Sequence, residues 1–63
     1  MKIEFSTDSA AFTDNSDDKF LNDVARFCEC KRILEKVITE LQIDKTSGVI
    51  MDINGNKIGE WSL

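Results

Sequence analysis

The chain begins by alternating. Ile3 and Phe5 fall on one side of an extended backbone and Lys2, Glu4 and Ser6 on the other, which predicts a strand over Lys2 to Thr7 with one buried face. Asp8 and Ser9 end it. An apolar island, Ala10-Ala11-Phe12, and a polar run, Thr13-Asp14-Asn15-Ser16-Asp17-Asp18, lead into the longest element, a helix expected from about Asp17 to about Gln42. Asp14, Asn15 or Ser16 can cap that helix. Asp17 and Asp18 would then sit in its first turn, where the dipole favours negative charge.

Within the helix Phe20, Phe27, Leu34 and Leu41 recur every seven residues, and Val24, Lys31 and Ile38 fall four after the first three. This is a three-heptad seam with one lysine in it, the shortest run at which helix pairing becomes a serious reading. Leu21 and Cys28 widen the stripe on one flank, and Cys30 and Val37 widen it on the other. Two outcomes are open: the stripe packs on a twisted sheet, or it also joins a second copy of the chain. If Leu34 is core in either arrangement, its replacement by Ala should cost ~2–5 kcal/mol.

The tail reads as a hairpin. Ser47 to Ile53 is strand-like with Val49, Met51 and Ile53 on one face, Asn54-Gly55 is a strong turn signal, and Asn56 to Leu63 returns. The order β-α-β-β over residues 1–63 predicts one α+β domain: a small antiparallel or mixed three-stranded sheet with one long helix packed on one face. From Phe20 to Leu41 the helix spans ~33 Å, against ~20 Å for a six-residue strand. It should overhang the sheet, and a homodimer is the economical cover for the overhang.

Length sharpens that expectation. A chain of 63 residues buries only ~60% of its unfolded surface, so a staple or a partner is needed for more than marginal stability. The net charge is −4, and residues 1–25 hold all of the excess, with two lysines against Glu4, Asp8, Asp14, Asp17, Asp18 and Asp23. Such a chain lacks the basic footprint of a nucleic-acid binder and suits a partner with a basic surface. The carboxylates Asp14, Asp17, Asp18 and Asp23 are the candidate contact residues. The N-terminus carries no secretory run and no stretch approaches a membrane span, so the expected place is the cytosol. Two cysteines two positions apart on a helix point away from each other, the usage of a reducing compartment.

Chemistry is hard to find. Histidine is absent, which removes the commonest general base and zinc ligand and leaves Ser, Thr and Cys without a relay. Asp17 with Asp18, or Asp14 with Asp17, could act as a carboxylate pair only if something desolvated them. Cys28 and Cys30 supply two thiolates where structural zinc takes four ligands. Asp52, Asn54 and Asn56 sit at the first, third and fifth places of a calcium-type loop, but the glycine and the final glutamate that such a loop needs are out of place. No enzyme, metal site or cofactor is expected. Trp61 reads as a core side chain or as an exposed hydrophobic anchor for a partner.

Two stretches together carry a resemblance. Phe5-Ser6-Thr7-Asp8-Ser9-Ala10-Ala11-Phe12 and Asp52-Ile53-Asn54-Gly55-Asn56-Lys57-Ile58-Gly59-Glu60-Trp61, with Val24-Ala25-Arg26 between them, resemble short uncharacterised proteins encoded by bacteriophages and prophages. Those share a D-x-A-A-F turn and a closing D-x-N-G-N-x-V-G-x-W hairpin. The helix here is several residues longer. The resemblance implies a common fold and a genetic setting in which small acidic proteins bind and disable host proteins, CRISPR and other defence factors among them. The first functional expectation is therefore an inhibitory interaction protein acting on a host protein in the host cytosol. The second is an assembly module acting through homo-oligomerisation of its heptad-patterned helix.

Overall fold

The computed structural model describes residues 1–14 and 17–63. In order they form strand β1 (Lys2–Phe5), a single 3-10 turn (Ala10–Phe12), helix α1 (Lys19–Gln42), strand β2 (Ser47–Met51) and strand β3 (Lys57–Ser62). The sheet is wholly antiparallel in the order β1-β3-β2, so the last strand is the central one. This is the expected α+β architecture with one helix across a three-stranded sheet.

Register decides which side chains face the helix. Trp61 stands opposite Ile3 on one neighbour and Gly48 on the other, and Gly59 stands opposite Phe5 and Ile50. Directly paired residues share a face. The inner face therefore carries Ile3, Phe5, Ile50 and Trp61, and the outer face carries Lys2, Glu4, Val49, Glu60 and Ser62. The run Val49, Met51 and Ile53 is thus solvent-facing, and Ile50 is the β2 residue that is buried. Bulk explains the choice. The indole needs empty space across the strand pair, and a Cβ at Gly48 would lie 2.6 Å from Trp61 Nε1. At Gly59 a Cβ would meet Glu4 O at 2.0 Å, so β1 can approach β3 only beside glycine.

The core is small: Phe12, Ile33, Val37, Ile50 and Trp61, with Phe5, Ala11, Cys30, Leu41 and Ile58 around it. The apolar island supplies Phe12, whose ring stacks on Phe5 with centroids 6.4 Å apart. Trp61 is buried in this core, so it is no exposed anchor.

Boundaries moved for identifiable reasons. β1 stops at Phe5, two residues short of the expected end. Asp18 caps α1 by accepting from the Phe20 N–H at 2.9 Å, so Asp17 and Asp18 precede the helix and do not fill its first turn. Asp14 is not the cap; Asn15 and Ser16 lie outside the described residues. At the far end Asp44 takes φ 64°, with its N–H on Leu41 O and the Lys45 N–H on Glu40 O, the paired bonds of a Schellman stop. The hairpin is wider than a two-residue turn. The Asp52 N–H donates to Asn56 O, the Gly55 N–H reaches Asp52 O, and Gly55 takes φ 84°.

Candidate functional site

α1 has two unlike faces. Ala25, Glu29, Ile33, Val37 and Glu40 point toward the sheet, while Phe20, Val24, Phe27, Leu34 and Ile38 point away. At about 100° per residue the mean directions of these two sets differ by roughly 155°. The apolar seam is therefore the solvent face. Phe20 is 70% exposed, Phe27 69% and Ile38 54%. Leu34 is exposed as well and lies outside the core of the single chain. Leu41 alone among the seam residues is half-buried against the core. The stripe does not pack on the sheet because a shorter, mixed stripe does.

That mixed stripe holds by hydrogen bonds as much as by burial. Glu29, 5% exposed, accepts from the Ile53 N–H at 2.9 Å and from Arg32 Nε through its other oxygen. Arg32 in turn donates to Met51 O at 3.0 Å. Three turns on, Glu40 accepts from the Trp61 indole N–H at 2.6 Å. One helix face thus fastens both the hairpin mouth and the central strand. The bond to Glu29 raises the Arg32 pKa, against a smaller opposing effect of burial. Below them Asp52, buried at the turn, accepts from the Asn56 N–H, the Asn56 side chain and the Asn54 N–H, and the first of these does most to lower its pKa. Glu29, Arg32 and Glu40 were not among the sequence-based candidates, and Asp52 was weighed there only as a place in a calcium-type loop. The signal was present as Glu29-Ile33-Val37-Glu40, a helical stripe whose ends are charged.

The acidic candidates are partly committed to local structure. Asp14, Asp17 and Asp18 are exposed at the approach to α1, but Asp18 serves as the cap. Asp23 is half-buried and pairs with Lys19 at 3.5 Å. Thr13 and Asp14 are also tied to the helix, with the Thr13 hydroxyl donating to Asn22 Oδ1 at 2.6 Å and the Asp14 N–H donating to the same atom. Elsewhere, an open groove of about 870 Å³ involves the outer sheet face and mixes Lys2, Glu4, Lys57 and Glu60, with Lys2 and Glu4 paired to each other. Among the described residues no three His, Cys, Asp or Glu side chains gather as metal ligands, and no helix is long and apolar enough to cross a membrane. Comparisons with protein-family models, curated proteins and solved structures find no match to this chain.

Proposed function

We propose that this chain is a non-catalytic protein-interaction module whose working surface is the outer face of α1. One observation carries the reading: an apolar stripe, Phe20, Val24, Phe27, Leu34 and Ile38, interrupted by Lys31 alone and turned away from the core that the described residues form. Exposed apolar patches of this kind mark interaction sites. A 63-residue chain that spends two of its four phenylalanines on solvent gains nothing from them alone. Of the two modes expected from sequence, the geometry favours the assembly module.

The test is Phe27→Glu. That side chain is outside the fold, so helix content and thermal midpoint should stay close to those of the parent, within the ~0.5 kcal/mol typical of surface changes. Immobilised parent chain should capture its partner, whether a second copy or a host protein, and immobilised variant should not. Equal capture by both would end the reading.

The acidic reading keeps one observation of its own, the exposure of Asp14, Asp17 and Asp18 at one end of the molecule. In it the chain blocks a basic host surface in the cytosol, in the manner of phage accessory proteins. The triple change to Asn should then weaken capture at low salt, with less effect as salt rises. Capture that ignores the triple change at low salt would remove it.

A further inference from the structure

We propose that the occupant of the outer face of α1 is a second copy of the same chain, paired antiparallel about a two-fold axis level with residue 29. The proposal rests on the reading of that face as an interface. It adds the partner, the direction and the register.

The register follows from the exposed residues themselves. Reversing α1 about that level brings Phe20 against the partner's Ile38, Val24 against the partner's Leu34, and Phe27 against the partner's Lys31. Every exposed seam position finds a counterpart and none is left over. Lys31 then lays its methylene stem along an aromatic ring while its ammonium reaches the rim, where Glu35 of its own helix already stands 3.8 Å away. Sliding the pair by one heptad would enlist Leu41, which is already packed in its own core, and carry Phe20 off the end.

Charge fixes the direction. In a parallel pair Lys31 would face its twin inside the seam, and the two acidic ends, which carry the whole net charge of −4, would lie side by side. Antiparallel pairing sets the two Asp18 caps about 33 Å apart along the axis, several times the ~8–10 Å over which charges act in physiological salt. It also opposes the helix dipoles. The sheet covers the opposite face of α1, so among the described residues the outer stripe is open to approach. Covering the exposed parts of five apolar side chains on each copy removes on the order of 1,000 Å² from the pair, and Leu21 with the Lys31 stem brings this to the ~1,200 Å² at which specific interfaces begin.

The register makes a chemical forecast. Cys28, an exposed free thiol, flanks the seam one position from the axis, which puts it beside the partner's Cys28. Purified chain should sediment as a species of twice 7.1 kDa at high micromolar concentration. In a Cys30→Ala background a short bis-maleimide should link two copies through Cys28, and Phe27→Glu should cut the yield at least tenfold. In a chain with both cysteines replaced by Ala, Phe20→Cys should not cross-link, because the two positions lie about 27 Å apart. A dimer that cross-links through Phe20→Cys is parallel and overturns the arrangement, as does a dimer that links at neither position. A single 7.1 kDa species overturns the second copy as occupant. The outer-face reading would survive that last result if Phe27-dependent capture of a different protein were seen.

Discussion

The Trp61 indole N–H donates to Glu40 Oε2 across 2.6 Å, joining the central strand to the last turn of the helix. Trp61 has the largest side chain in the core and Glu40 is mostly sheltered from water, so the bond links the fold's main apolar anchor to a carboxylate that must be satisfied.

Removing that acceptor should show directly. Glu40→Ala leaves the indole N–H buried without a partner and should cost ~1–3 kcal/mol in urea unfolding, whereas Glu40→Gln keeps an acceptor and should cost under half of that. Equal losses for the two would mean that charge, and not the bond to Trp61, is what the site supplies.

Neighbouring helix positions should respond very differently. Ile33 is 2% exposed and Leu34 is 44% exposed. Ile33→Ala should cost ~2–5 kcal/mol at any protein concentration. Leu34→Ala should cost less than ~1 kcal/mol in dilute chain and more as concentration rises, because association stabilises only what it binds. Chemical denaturation at two concentrations separates these cases.

Asp52 predicts a pH dependence. Its backbone and side-chain bonds, those from Asn56 foremost, hold its pKa below the ordinary value of about 3.8. The unfolded chain then binds the proton more readily than the folded one, so the stabilisation is present above that ordinary value and is lost as pH falls through the lower folded value. Asp52→Asn should be less stable than the parent at neutral pH, and the gap should close in acid. A gap of constant size from pH 6 to pH 2 would refute this role.

A small gain is available at the end of the helix. Asp44 holds φ 64°, a conformation that costs a side-chain-bearing residue and suits glycine. Asp44→Gly should raise stability by ~0.5–1 kcal/mol, measured as a higher thermal midpoint.

Much of the fold was legible because its signals are local. The alternation of Ile3 and Phe5, the long helical period and the Asn54-Gly55 turn each act over a few residues, and β1, α1, β2 and β3 appear in the expected order. Facing was harder. The heptad seam is the cleanest apolar pattern in the chain, and apolar pattern is ordinarily the mark of a core. Here Glu29, Arg32 and Glu40 occupy the inward face instead, because each finds its partner on the hairpin or on β3, a contact that no local rule anticipates. The inward choice of Ile50 over Val49 and Met51 depends on Gly48 making room for Trp61, a residue thirteen positions away. Of the two outcomes that the pattern leaves open for the seam, packing on the sheet is not the one seen, since Phe20, Val24, Phe27, Leu34 and Ile38 are exposed.

The strand order has a consequence in time. β1 lies at the sheet's edge and pairs with β3, so Lys2 has no neighbour in the sheet until Ser62 is made. During synthesis no part of β1 can pair until the residues of β3 have been made, and such distant pairing is slow to close. The turns of α1 need no such wait. Its outer stripe is complete once Ile38 emerges, well before the sheet that will cover its other side, so a nascent chain displays its sticky face earlier than its finished form.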